Sequence, residues 1–199
     1  MAARKFNPGT ALFGLLFVVA LAVLGYGAYQ WWAGNTPSAT PPQDSPAASA
    51  SDLIVSEAAK PVPDKGFTDA EGGMHNLADY KGRYVLVNFW ATWCGPCKVE
   101  LPALQALKAK LGGDRLAVIT ISLDNDPAQA AAYLAGKGLT GLDTFADPDL
   151  GLATAVGANE LPVTLLIDPE SNIIGRHTGG AEWDSPAAIA TLQALIGKS

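Results

Sequence analysis

Cysteine is scarce in this chain, with two in 199 residues. That excludes a scaffold held by several disulfides and any four-cysteine zinc or iron–sulfur centre. Charge is also thin, at 16% of residues, and cations are the smaller share: 13 Lys+Arg against 19 Asp+Glu, a net charge of −6. Two of those cations, Arg4 and Lys5, precede the first apolar run, and the next is Lys60. The chain has no basic stripe, and phosphate binding depends on clustered Lys and Arg, so nucleic acid is not an expected partner. No internal repeat is present. The length suits one domain with a real core and is too short for two large ones.

What the chain does have, early on, is a long uncharged stretch. Residues 10–32 read TALFGLLFVVALAVLGYGAYQWW. At about 1.5 Å per residue such a helix spans roughly 35 Å, enough for a bilayer core of about 30 Å. Arg4 and Lys5 before it, and no cation close after it, place residues 1–9 on the cytoplasmic side and the remainder of the chain outside. Tyr26, Tyr29, Trp31 and Trp32 crowd the far end, where an aromatic belt would lie. A cleaved signal peptide is the alternative, with Gly25 and Gly27 imitating a cleavage site. Its apolar core normally runs to about 7–15 residues, so the length favours an uncleaved anchor. Residues 33–58 are rich in Ala, Ser and Pro and read as a semi-extended tether, with Leu53–Val55 able to dock on the domain beyond it.

From residue 59 to 199 the pattern is that of a packed domain. Phe67–His75 (FTDAEGGMH) reads as an early hairpin. Tyr84–Trp90 (YVLVNFW) and Leu116–Leu123 (LAVITISL) are continuous apolar runs, the mark of strands buried on both faces. Between them Leu101, Leu104, Leu107 and Leu111 recur at helical spacing until Gly112-Gly113. Asp126-Pro127 offers an N-cap and first position for a helix to about Lys137. A short strand near Thr144–Ala146, a helix near Asp149–Val156, a hairpin of Val163–Ile167 with Ile173–His177, and a helix from Ser185-Pro186 to about Ile196 complete the set. Strands alternating with helices and closed by a hairpin predict an α/β domain with a mixed sheet.

Both cysteines fall in one motif, Trp93-Cys94-Gly95-Pro96-Cys97, between a buried strand and the start of a helix. Two thiols one helical turn apart suit a dithiol–disulfide couple, in which the second resolves a mixed disulfide formed by the first. The first-turn N–H groups and helix dipole favour a thiolate on Cys94, so Cys94 is the expected nucleophile and the more enclosed Cys97 the resolving thiol. A zinc site would have to add His75 and His177, which lie far away with no ligand spacing. A purely structural disulfide of this span would constrain the unfolded chain little. Glu100 stands three residues after Cys97, on the same helix face. A carboxylate there would favour the protonated thiol of Cys97; the alternative is a solvated first-turn acid favoured by the helix dipole.

The run VLVNFWATWCGPCKVELP resembles the active-site strand, motif and first helix of the thioredoxin superfamily. With LADYKGRYVLVNFWATWC, LPVTLLID and GGAEWDSP, the segment from about Phe67 to Ile196 resembles the TlpA/ResA-like family of membrane-anchored thiol–disulfide oxidoreductases, the tail favouring the TlpA branch. The resemblance implies a thioredoxin-like α/β fold: a central mixed sheet flanked by helices, an N-terminal hairpin and an inserted βα element. It implies catalytic roles for Cys94, Cys97 and Glu100, and a substrate surface at Trp93, Gly95, Pro96, Leu161 and Pro162. Pro162 takes the place of the family's cis-proline, and Pro102 that of its helix-kinking proline. Trp93 and Trp90 read first as packing residues, and His75 and His177 as structural. One departure stands out: where thioredoxins carry a buried aspartate beneath the motif, this chain has Asn88, which cannot titrate.

The resemblance further implies a protein of the bacterial inner membrane, single-pass, with its domain in the periplasm and no cofactor beyond the redox-active Cys94–Cys97 pair. Its partners would be a disulfide-bearing periplasmic substrate and a transmembrane thiol reductase supplying electrons. The substrates implied belong to cytochrome biogenesis, either apocytochrome cysteines or copper-site cysteines of cytochrome oxidase assembly. The competing class is a Cu(I) metallochaperone using the same two thiolates.

Overall fold

The structure is a computed structural model and describes residues 24–27, 29–31 and 54–197. It divides into two units, Met1–Asp44 and Ser45–Ser199. In the first, residues 24–27 and 29–31 are helical and expose Leu24, Tyr26, Tyr29 and Trp31. Most of the anchor expected over residues 10–32, and of the tether over 33–58, lies outside the described residues. Among the described residues no helix is long and apolar enough to cross a membrane.

The second unit is built on one eight-stranded sheet. Its strands are β1 (Ile54–Pro61), β2 (Gly66–Thr68), β3 (Met74–Asn76), β4 (Tyr84–Trp90), β5 (Leu116–Ser122), β6 (Asp143–Ala146), β7 (Val163–Ile167) and β8 (Asn172–Thr178). They lie side by side in the order β1-β8-β7-β4-β5-β6-β2-β3. β4 is central, parallel to β5 and antiparallel to β7, so the sheet is mixed. The two continuous apolar runs are buried as expected, β5 at every position and β4 at all but Tyr84, and the hairpin strand β7 is buried throughout as well.

Alternate residues of β4 feed two cores. Leu86 and Trp90 face α1 (Gly95–Leu111), α2 (Pro127–Gly136) and α4 (Pro186–Ile196), whose Leu101, Leu104, Leu134 and Leu192 fill that side. Val85, Val87 and Phe89 face the other way, onto α3 (Gly151–Val156) and a short 3-10 helix, Leu77–Tyr80. The expected caps are in place: the Asp126 carboxylate accepts from Ala128 N–H at 2.9 Å, and the Ser185 hydroxyl from Ala188 N–H at 3.2 Å.

Three elements differ from expectation. β1 takes in residues 54–58, the end of the expected tether, so that docking on the domain, expected for Leu53–Val55, runs on as a strand to Pro61. It is an edge strand held by main-chain pairing with β8, a kind of contact that needs no apolar alternation. The 3-10 helix is absent from the expected elements, although Asn76 and Asp79 form a reciprocal capping box at its start. Finally, α3 begins at Gly151 rather than near Asp149, because the buried Asp147 carboxylate reaches forward to accept from Gly151 N–H (3.0 Å) and Ala153 N–H (2.7 Å). Leu150 absorbs the turn in the left-handed region, at φ 55°.

Candidate active site

The end of β4 and the start of α1 place the two cysteines. Cys94 is the N-cap of α1 and Pro96 lies in its first turn, where a missing N–H leaves nothing unsatisfied. Cys94 and Cys97 form a disulfide with a Cα–Cα separation of 5.4 Å. They are not equivalent. Cys97 is sealed, whereas Cys94 retains slight exposure and is flanked by exposed Trp93, Gly95 and Pro96. The main-chain N–H of Cys97 points at Cys94 Sγ at 3.2 Å. In the reduced protein the same donor would stabilise a thiolate there.

The segment leading to Cys94 is pinned from below. The buried Asp124 carboxylate accepts from Thr92 N–H (3.0 Å), from the Thr92 hydroxyl (2.8 Å) and from the Ser122 hydroxyl (2.6 Å). Sequence reasoning assigns no role to Asp124, because its partner Thr92 lies on the neighbouring strand's exit and nothing local links them.

Glu100 is not a solvated acid. It is 3% exposed, and its carboxyl accepts three hydrogen bonds: from Asn88 Nδ2 to Oε1 at 2.8 Å, and to Oε2 from Ala181 N–H at 3.0 Å and Trp183 Nε1–H at 2.9 Å. Burial pushes its pKa up to about 7 despite the three donors, each of which pulls the other way. Asn88, in the place of the thioredoxin aspartate, is a hydrogen-bonded core group as expected. Its amide bridges Glu100 and the Thr164 hydroxyl, the latter at 2.9 Å. Register extends this polar row across the sheet: Asn88 sits opposite Thr164 and Thr164 opposite His177. His177 is buried, with its ring edge-on to Trp183 at 5.4 Å.

Trp183 and Ala181 are the site residues missed in the sequence. Both lie in GGAEWDSP, a segment singled out only for its resemblance. The same loop reaches the opposite side of the motif, for Gly179 N–H donates to the Pro162 carbonyl at 2.9 Å. The Leu161–Pro162 bond is cis, as its position in LPVT implied. Trp93 is not a packing residue: it is 68% exposed, while Trp90 is buried against Tyr133. Trp93 joins Leu123, Leu150, Ala153 and Leu161 in an open, mainly apolar groove that Thr154 and Asn159 also line. His75 does have a partner, Asp69 across the hairpin turn at 2.9 Å, and takes no part in the site.

Residues 58–176 match the AhpC/TSA family profile. The chain belongs to the AhpC/TSA family. Within it, the chain is 31% identical over 118 residues to the thiol-disulfide oxidoreductase ResA of Geobacillus thermodenitrificans, covering 59% of this chain and 67% of the relative. It is 35% identical over 113 residues to the thiol:disulfide interchange protein HelX of Rhodobacter capsulatus, covering 57% and 58%. Among solved structures it superposes on a thiol:disulfide interchange protein DsbE from Chlorobium tepidum with a TM-score of 0.59 at 26% identity, over 70% of this chain and 95% of that one. These relatives agree with the TlpA/ResA-like resemblance and with a thioredoxin-like fold. The chain is accordingly a thiol–disulfide oxidoreductase.

Proposed function

We propose that this oxidoreductase works as a reductant, anchored in the bacterial inner membrane by residues 10–32 and holding its domain in the periplasm. The observation that carries the reading is the asymmetry of the pair: Cys94 slightly exposed and faced by a helix-start N–H, Cys97 sealed one turn before a buried carboxyl. In the reduced protein the Cys94 thiolate attacks a substrate disulfide. One substrate sulfur leaves as a thiolate and takes up a proton, and a mixed disulfide remains. The Cys97 thiol gives its proton to Glu100 and attacks Cys94 Sγ. The second substrate thiolate leaves, and the Cys94–Cys97 disulfide closes. Exposed Trp93, Gly95 and Pro96 and half-buried Leu161 form the surface that holds the substrate chain, with Pro162 buried beneath it.

Recharging needs two electrons and two protons from a dithiol donor, and in an oxidising compartment that donor is a transmembrane thiol reductase fed from the cytoplasm. The resemblance to the TlpA/ResA-like family supports substrates in respiratory cytochrome biogenesis: the copper-site cysteines of oxidase assembly, or apocytochrome c.

The test uses Cys97→Ser, which cannot resolve the mixed disulfide. Expressed in its native membrane and quenched with acid, the variant is expected to accumulate disulfide adducts through Cys94, separable on non-reducing gels. Capture of copper-insertion proteins or oxidase subunits supports the TlpA-like assignment, and capture of apocytochrome-maturation components the other. If nothing is trapped while the wild-type protein purifies with bound copper, the reductant reading gives way to a copper chaperone.

A further inference from the structure

The three hydrogen bonds to Glu100 differ in one respect that matters for a proton. Oε2 accepts from Ala181 N–H and from the Trp183 indole N–H. Neither donor can reverse, since a main-chain amide and an indole nitrogen keep their hydrogen and offer no lone pair. Oε1 accepts from Asn88 Nδ2 alone. A side-chain amide can turn over and present its oxygen where its nitrogen was. The far contact of Asn88 is just as reversible, because the Thr164 hydroxyl accepts or donates with equal ease.

We propose that Asn88 is a positioning residue whose amide turns over with the charge of Glu100, so that the carboxyl takes up its proton on Oε1 alone. When Glu100 is ionised, Nδ2 faces the carboxylate and Thr164, as in this structure. When Glu100 is neutral, Oδ1 takes that place and accepts from Oε1–H and from the Thr164 hydroxyl. Ala181 and Trp183 keep their bonds to Oε2 throughout, so the loop they belong to stays docked on α1 in both states.

A second observation points the same way. In the present orientation Asn88 Oδ1 is buried without a donor. Turning the amide would leave Nδ2 at that spot instead. One end of the amide is unsatisfied in either orientation, and the side facing Glu100 decides between them. An aspartate in this position would set two carboxyls at hydrogen-bond distance, able to ionise only in turn. Two titratable groups lie on the neighbouring structure: Cys97, one turn earlier on α1, and His177, whose ring meets that of Trp183 edge-on. Among the described residues no Lys, Arg or acidic side chain bonds to Glu100. The proposal rests on the reading of Glu100 as acceptor of the Cys97 proton.

The experiment is an NMR titration of the oxidised full-length protein, labelled with nitrogen-15, in which no thiol can titrate. Through the Glu100 transition the Asn88 side-chain amide signals are expected to move strongly, while the Trp183 indole and Ala181 N–H signals stay hydrogen-bonded. Loss of the indole or Ala181 bond with an unmoved Asn88 amide overturns the proposal. In Asn88→Leu the midpoint is expected to rise by roughly one pH unit, because the bond lost from the carboxylate is about twice as strong as that lost from the neutral acid. An unchanged midpoint also overturns it. Turnover separates the two readings: if the signals behave as expected but the exchange rate is flat through the same transition, the reversing amide stands and the role of Glu100 in exchange fails.

Discussion

Cys94→Ser is expected to abolish disulfide reduction, lowering turnover by at least about a thousandfold, the scale on which a covalent nucleophile is missed. The hydroxyl occupies the same N-cap and still accepts the Cys97 N–H, so α1 keeps its start. What goes is the thiolate: a serine hydroxyl has no comparable anion at neutral pH, and the disulfide-bond exchange has no first step. Cys97 cannot substitute, because it is fully buried where Cys94 keeps some exposure, and so offers a substrate disulfide no approach. The measurement is reduction of a protein disulfide by the dithiol form, with Cys97→Ser beside it. The two variants differ in kind: Cys97→Ser is expected to form the mixed disulfide at a normal rate and stop there, Cys94→Ser never to form it. Normal turnover in Cys94→Ser would reverse the assignment of the two thiols.

Glu100→Gln is expected to act on both stability and rate. The pKa of Glu100 is raised in the folded protein to about 7 from an ordinary 4.5, with burial as the main cause. The folded state thus holds this proton more tightly than the unfolded chain. The sign is the reverse of that for a salt-bridged acid: stability is highest below about pH 4.5, falls as the pH climbs, and levels once Glu100 is ionised above about pH 7. The loss across that window is of order 3 kcal/mol. Urea unfolding of Glu100→Gln across the same range is expected to lack this slope, because an amide has no charge to bury. It also resembles the neutral acid in shape, with a turned Asn88 accepting from its amide nitrogen. The exchange rate is expected to fall by about a hundredfold, the lower range for loss of a proton-transfer group, and to lose its inflection near neutral pH. A variant that keeps the wild-type slope and rate profile would return Glu100 to a packing role.

The parts of the fold legible in the sequence are those fixed by local pattern. YVLVNFW and LAVITISL read as buried strands because burial on both faces keeps their runs almost wholly apolar and uncharged, and Val163–Ile167 reads as a strand from the hairpin it makes with Ile173–His177. Asp126-Pro127 and Ser185-Pro186 announce their helices because a cap is chemistry between near neighbours. The motif itself is legible because spacing and placement at a strand–helix junction suffice for two thiols to pair. What is hidden is long-range. Trp183 and Ala181 reach Glu100 across more than eighty residues, and Thr92 finds Asp124 only once β4 and β5 lie side by side. β1 pairs through its main chain with β8, more than a hundred residues on, which sequence pattern does not mark. Trp93 reads as packing because tryptophan usually is, and only the turn between β4 and α1 shows that it faces outward. Asn88 reads rightly as a core group, but its position between an acid and a hydroxyl, which gives it two usable orientations, comes from the sheet register.

The central claim is that the two thiols are unequal, Cys94 ionised and open, Cys97 protonated and closed. It is tested most directly by alkylating the reduced full-length protein with iodoacetamide across a range of pH and mapping the modified cysteine by mass spectrometry. Cys94 is expected to be labelled first, with a midpoint below the free-thiol value of about 8.5, and Cys97 to react slowly at every pH. Faster labelling of Cys97, or equal labelling of both with a common midpoint, would contradict the account.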